Sequence, residues 1–441
     1  MNLVEASVAV HSSADAEIAA REAAKNAMGR IRGDADLALV LITDRYPSKS
    51  CYSQALQAIQ QQIGEQTPIV GCITPVVFAS REIPTIQGVA LMLLRSTDIK
   101  FVPLAFQNAR VKARDIAKQM VKRYLPFIES SAAYSVLMCA SGPVLPKDIY
   151  RSLEVTNSWF AQRLTPIFSR IFGYISRRLM KKGMGSPTSY IDTLVQVLAN
   201  KGITNVVGGN SINHKALFAY EFFNTDVLSN SVVSCLLTSD KLKFGIGWSF
   251  GATPTGKKIT IDKTLGSLIL RANKKSGQEA ILEQTGITKT YIEEELASES
   301  YALLYHLHGV RDSTSGNYFP YVSTIPPNLS SFMSFIPERS LKPGKELEFL
   351  IQSGEDILTS IRTCLIEATA NIHRPEFAII FECSNRAFAL GDKILREDKI
   401  IREILGADVP YIGFGGGGEF SYKPEGYHYV CSTIHALVAG E

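Results

Sequence analysis

The chain has 441 residues, 46% hydrophobic and 20% charged, and a formal net charge of only +4. That length bounds it at roughly two to three domains and buries a large core without disulfides or metals. So small a net charge gives no global field for nucleic acid. The longest uncharged apolar stretch, "PIVGCITPVVFA" (68–79), is too short to span a bilayer and contains Pro75.

In chain order, "VEASVAV" (4–10) predicts a strand. Ser12-x-x-Asp15 reads as a capping box opening an Ala-rich helix to about Met28. "LALVLI" (37–42) predicts a buried strand, 52–63 a helix, "PIVGCI" (68–73) and "GVALMLL" (88–94) strands, "VKARDIAKQMVKR" (111–123) a helix and "YSVLMCA" (134–140) a strand. After about residue 203 the pattern turns antiparallel. "ALFAYEFF" (216–223) and "SVVSCLL" (231–237) flank the turn-rich Asn224–Asn230, and "LKFGIGWSF" (242–250) follows. Helices are expected over about 276–298, 354–371 and 392–405, with strands "YALLYHL" (301–307) and "EFAIIFEC" (376–383), then two strands bracketing a glycine loop. No period of 20–50 residues repeats. The expected fold is mixed α/β (α+β): two lobes of largely antiparallel or mixed sheet flanked by helices, 1–240 and 241–441.

Residues 151–182 stand apart. They carry Arg151, Arg163, Arg170, Arg177, Arg178, Lys181 and Lys182 against Glu154 alone, interleaved with Trp159, Phe160, Phe168, Phe172 and Tyr174. Ile167, Ile171 and Ile175 lie along one helical face. The segment reads as a basic helical insertion (151–187) that packs on the core, docks a partner or touches a membrane surface through 155–182.

The loop "YIGFGGGGEFSYKPEG" (411–426) places Glu419 directly after Gly415–Gly418. Glycine tolerates unusual backbone and close approach at an entropic cost. No Lys-Ser/Thr follows, so the loop is not a phosphate cradle, and "EFSY" opens a strand rather than the helix of a dinucleotide site. Cys383 and Arg386 end the preceding apolar strand. An Arg fork, a Glu acceptor and bare backbone N–H groups suit a small zwitterion. The structural alternative is a tight turn with Arg386 paired to Glu419.

Five stretches together resemble the FIST family, named for F-box and intracellular signal transduction proteins. "PYIGFGGGGEFSY" (410–422), followed by an apolar strand with Thr433, is similar to the family's C-terminal signature, and "FECSNRAFALGD" (381–392) to the strand end before it. "KFGIGWSFGATPTGKKITI" (243–261), "PIVGCITPVVF" (68–78) and "TNVVGGNS" (204–211) resemble further family strands. Two departures stand out: Pro75-Val76 replaces a Gly-Glu, and Asn210 and Asn213 stand where an Asp is usual. The resemblance implies a stand-alone FIST N lobe and FIST C lobe, sensing a small polar, amino-acid-like ligand and signalling to a separately encoded kinase or receptor module. The ligand-binding residues it implies are Cys383, Arg386, Phe414, Gly415, Gly416, Gly417, Gly418, Glu419 and Thr433, with Gly208, Gly209 and Trp248 as second contacts. No cofactor is expected; haem, known in some family members, is the alternative.

Other chemistry is weakly signalled. His306 and His308 share one strand face but lack a third metal ligand, and His11, His214, His373, His428 and His435 are scattered. No G-x-S-x-G, H-E-x-x-H or paired-carboxylate motif occurs. The enzyme alternative is a Cys383 thiol activated by Arg386; an interaction scaffold with a purely structural loop is a third reading. The seven cysteines are widely spaced without C-x-x-C, and the N-terminus lacks a basic signal region, so a cytoplasmic location is expected.

Overall fold

The structure, a computed structural model, describes residues 3–144, 188–265, 268–286, 305–311, 318–324, 332–334, 342–424 and 428–441, with single residues 178, 181, 182, 184, 288, 290 and 426. The fold is mixed α/β with four mixed or antiparallel sheets.

The first sheet runs β1 (Val4–Ser12), β5 (Gly88–Ser96), β2 (Leu37–Thr43), β3 (Ile69–Thr74), β9 (Glu221–Phe223), β10 (Asp226–Leu228). The second runs β23 (Tyr429–Val430), β22 (Glu419–Ser421), β8 (Val206–Ser211), β7 (Ala133–Ser141), β11 (Ser231–Ser239), β6 (Lys100–Gln107). The third runs β12 (Lys243–Ser249), β24 (Ile434–Gly440), β20 (Pro375–Cys383), β21 (Tyr411–Gly416), β4 (Val76–Ala79). The fourth runs β13 (Thr253–Leu265), β19 (Glu346–Ile351), β16 (Tyr305–Arg311), β17 (Tyr318–Thr324), β18 (Phe332–Ser334), β14 (Leu268–Ala272), β15 (Lys275–Ser276). Here β13 also pairs with β14, closing the sheet into a ring.

The first three sheets repeat one plan. Each holds a parallel pair, β2–β3, β7–β8 or β20–β21, whose inner strand pairs antiparallel with a later strand, β5, β11 or β24. That later strand pairs outward with the first strand of its unit, β1, β6 or β12. The strand after each parallel pair then leaves its own unit. β4 joins the third sheet, β9 the first and β22 the second. Three units thus exchange strands cyclically, and the second and third sheets each draw strands from both 1–240 and 241–441.

Alternation along the strands explains the layering. Leu37, Leu39 and Leu41 of β2 join Leu137, Cys139, Val207, Phe381 and Phe414 in a core shared by the three sheets. Ala38, Val40 and Ile42 instead pack under α1 (Ala16–Met28) and α2 (Lys49–Ile63). Helices α3 (Ala109–Glu129) and α4 (Thr188–Ala199) cover the second sheet. α6 (Gly354–Thr369) and α8 (Ile394–Leu405) cover the third. α5 (Gly277–Thr285) and α6 open with complete capping boxes from Ser276 and Ser353.

Several expectations change. Asp15 itself caps α1, accepting from the N–H groups of Glu17 and Ile18, so Ser12 is not the cap but the end of β1. Of "ALFAYEFF" only Glu221–Phe223 is strand, and the short β10 occupies the expected turn, with Asn224 and Asn230 at positive φ. Strand β6, helix α4 and helix α7 (Ser384–Leu390) appear where no element was expected. Thr433 precedes β24 rather than lying in it. The insertion 151–187 and its membrane or partner readings fall outside the described residues, apart from the exposed Arg178, Lys181 and Lys182. The metal reading of His306 and His308 falls on side chains outside the described set. Among the described residues, no helix is long and apolar enough to cross a membrane.

Candidate functional site: a buried carboxyl beside the glycine turn

The parallel pairs align the three units residue by residue. Their last pairs are Thr43 with Thr74, Ser141 with Ser211, and Cys383 with Gly416. Two positions earlier on the outer strand, the exchanged strand pairs with Cys72, Gly209 or Phe414, and the residues facing them are Glu221, Glu419 and Val77. A phenylalanine follows each: Phe222, Phe420 and Phe78 lie opposite Gly71, Gly208 and Gly413. The Phe420 and Phe78 rings fill the space that a Cβ on Gly208 or Gly413 would need. Here the cost of bare backbone is offset by cross-strand aromatic packing.

In the second unit the carboxylate is fully served. Glu221 accepts hydrogen bonds from Ser141 Oγ at 2.6 Å, from Ser211 and from Ser231. Burial raises its pKa from 4.5 to about 7 against the opposing pull of those hydroxyls and of Arg110.

In the third unit the equivalents of Ser141 and Ser211 are Cys383 and Gly416, and only the hydroxyl equivalent to Ser231 survives, as Thr433. Glu419 Oε2 accepts from Thr433 Oγ1 at 2.7 Å and from its backbone N–H at 3.4 Å. Glu419 Oε1 is buried and has no hydrogen-bond partner among the described residues. Burial pushes its pKa well up, with Thr433 and Arg386 acting against that.

Strands β22 and β24 line up further polar groups around Glu419. His435, two residues beyond Thr433, is fully buried with both ring nitrogens unpartnered among the described residues. Burial, then Lys423 and Arg386, hold its pKa well down, so it is neutral. Lys423 donates to Ser421 Oγ at 2.9 Å and sits 3.6 Å from the centre of the Trp248 ring, a cation–π contact. Trp248 lies 6.0 Å from His435. The positions equivalent to His435 in the other units are Ala90 and Val233, and those equivalent to Trp248 are Val10 and Ala105, by strand register. The polar layer belongs to the third unit alone.

The other expected site residues fall as follows. Arg386 is buried on α7, and its guanidinium is committed to the protein. Nε donates to Glu382 at 2.7 Å, Nη1 to the Phe250 carbonyl, and Nη2 to Ser360 Oγ and the Ile357 carbonyl. The pairing is thus with Glu382 rather than Glu419. Cys383 is buried beside Glu419 and Cys431, and burial raises its thiol pKa well above the usual value. Desolvation is the largest cause, followed by Glu419 and Cys431, with the backbone N–H groups of Asn385 and Ser432 acting against them. Phe414 packs edge-on against Phe381 in the shared core. Gly415 and Gly416 complete β21, and the Gly417 N–H donates to the Asn210 carbonyl at 3.0 Å. Gly418 has φ +128°, and a Cβ there would strike the Tyr429 ring. Gly208 and Gly209 lie on β8 beneath β22.

Sequence reasoning missed His435, Lys423 and Ser421. Their signal was period-two placement on one strand face with Thr433 and Glu419. Asn210, noted only as a departure, is buried with its amide unpartnered among the described residues. It follows Gly209 and so faces away from Glu419 across β8.

A mixed α/β chain of three strand-exchanging units around a buried polar layer is the class defined by this geometry. Within that class, the family model described as the FIST N domain matches residues 36–275, and that described as the FIST C domain matches 333–422. The chain belongs to the FIST family. FIST domains are associated with signal transduction and small-ligand sensing. No curated protein matches it. A solved structure of cyanuric acid hydrolase is similar over 100% of both chains at a TM-score of 0.36 and 7% identity, too distant a likeness to bear on function.

Proposed function

We propose that the chain is a sensory protein that binds a small polar, amino-acid-like ligand at the Glu419 carboxyl and relays the signal to a separate protein. The observation that carries this reading is Glu419 Oε1, without a partner among the described residues where the equivalent Glu221 has serine hydroxyls on both oxygens. A buried carboxyl oxygen costs free energy unless something bonds it. A ligand N–H or O–H would supply that bond, and neutral His435 offers a donor and an acceptor beside it. Entry calls for a local opening. The loop before β24 is suited to this, because Ser432 is held at φ 58° by a reciprocal pair of hydrogen bonds with Gln352. Free thiols, six of seven buried, support action in a reducing compartment, the cytoplasm.

The test is a thermal-shift screen of the twenty amino acids and related polar metabolites, followed by calorimetric titration of hits into the wild type, Glu419→Gln and His435→Leu. A ligand that stabilises the wild type and is lost in both variants is expected. Ligand binding undiminished in Glu419→Gln would overturn the reading.

A further inference from the structure

A second site lies away from the glycine turn, between the loop that follows β4 and helix α8. A cavity of about 290 Å³ is lined there by Phe78, Ile83, Pro84, Ile394 and Leu395, with Arg81, Glu82, Glu397, Asp398, Arg402 and Tyr411 as its polar groups. Its mouth is apolar: Ile83 is 80% and Leu395 65% exposed, although both are large aliphatic side chains.

The charges around this cavity do not cancel. Arg402 pairs with Asp398, whose other oxygen accepts from the Tyr411 hydroxyl at 2.7 Å. Arg81 pairs with Asp408, and Arg30 reaches Glu82 at 3.5 Å. Behind the wall, Arg386 pairs with Glu382 at 2.7 Å. Each of these arginines therefore has its acid. Glu397 is the acid left over: it is 3% exposed, lines the cavity, and its Oε1 has no hydrogen-bond partner among the described residues.

We infer that this groove binds a small organic amine, its apolar body held by Ile83, Pro84, Ile394 and Leu395 and its ammonium group bonded to Glu397. An apolar cleft with one buried acceptor fixes a ligand's orientation in this way. A carboxylate ligand would bring a second acid to Glu397, and an alcohol could hydrogen-bond it but would bring no positive charge. Burial, then the neighbouring Glu382, to which it is hydrogen-bonded, push the pKa of Glu397 well up, with Arg386 the opposing influence and Asp398 a reinforcing one. An arriving ammonium favours the ionised form, so binding releases a proton from Glu397. The site is separate from the Glu419 layer and stands whether or not that layer binds a ligand.

The experiment is calorimetric titration of the full chain with phenethylamine, 2-phenylethanol and 3-phenylpropionate, in two buffers of different ionisation enthalpy. Phenethylamine should bind about tenfold or more tighter than either analogue, with proton release seen as a buffer-dependent heat. Glu397→Gln should abolish the proton release and weaken the amine about tenfold. Leu395→Arg, at an exposed helix position that leaves the buried acid intact, removes apolar contact from both ligands and adds a positive charge, so it should weaken phenethylamine more than 2-phenylethanol. Equal affinity for amine and alcohol, no binding of the amine, or an amine affinity indifferent to both variants would each overturn the inference.

Discussion

Glu221 and Glu419 occupy the same place in two units of one chain, each on an exchanged strand, each followed by a phenylalanine facing a glycine. Around Glu221 three serines satisfy the carboxylate. Around Glu419, Cys383 and Gly416 take two of those places, and an oxygen is left bare. The first unit goes further and has Val77, so no buried charge needs serving. The contrast is that the hydroxyl set around Glu221 is complete and the one around Glu419 is not, and this incompleteness is what the proposed ligand would make good. No alignment of other sequences is required to see this, because the chain carries its own controls.

Removing each acid should expose the difference. Glu221→Ala strips three buried serines of their acceptor and leaves a cavity, so a loss of about 4 kcal/mol is expected. Glu419→Ala frees only Thr433 and removes an already strained acid, for a loss of about 2 kcal/mol. Urea titrations of both variants check this. Equal losses would mean that Glu419 is as structural as Glu221.

The pH dependence of stability sharpens the same contrast. The folded-state pKa of Glu221 is raised from 4.5 to about 7. Between those values the native state holds a proton that the unfolded chain has lost. Stability therefore falls as pH rises through that window and levels off above it, by about 3 kcal/mol at 1.36 kcal/mol per unit. Glu221→Gln should flatten this slope in a pH series of denaturant melts. A slope unchanged in that variant would place the titration elsewhere.

Much of the fold was legible because its signals are local. Continuous apolar runs marked β2, β5, β7 and β20, and the helix expected over about 354–371 is α6. The exchange of strands was not legible, since pairing of β4 with β21 joins residues more than 330 apart and leaves no periodic trace. Only the short echoes "VVF", "YEF" and "GEF" mark the three equivalent strands. Around the candidate site, Glu419 and Cys383 were singled out through the glycine loop and the strand end before it, and Thr433 and Trp248 through the resemblance to the FIST family. Arg386 was misassigned a partner because Glu382 lies four residues earlier across a strand-to-helix junction, where strand alternation places it on no predictable face. His435 was named only among the scattered histidines, because burial, which makes it unusual, is a tertiary property.

The glycine turn supplies a further break point. Gly418→Ala puts a Cβ at φ +128° and into the Tyr429 ring, whose hydroxyl donates to the Gly417 carbonyl at 2.6 Å. A loss of about 2 kcal/mol is expected from strain and the displaced ring. Thermal melts check it, and a neutral effect would show that the turn relaxes freely.

The smallest effect is the most discriminating. Cys383→Ser should return to the third unit the hydroxyl that Ser141 provides in the second, where it donates to Glu221 at 2.6 Å. The two positions are equivalent by register, at the last pairs of β7–β8 and β20–β21. The introduced hydroxyl is expected to donate to Glu419 Oε1 and stabilise the protein by about 1 kcal/mol, the net value of one buried hydrogen bond. The reciprocal change, Ser141→Cys, removes one of the three donors to Glu221 and should cost about the same. Paired melts of the two variants decide the matter. Opposite signs support equivalence of the sites and a vacancy at Glu419. If Cys383→Ser destabilises, the sulfur fills a space too apolar for a hydroxyl, and the bare oxygen of Glu419 does not face it. Because the same hydroxyl would occupy the acceptor that the ligand needs, the stabilised variant should also lose ligand response, and gain of stability with binding intact would separate Glu419 Oε1 from recognition.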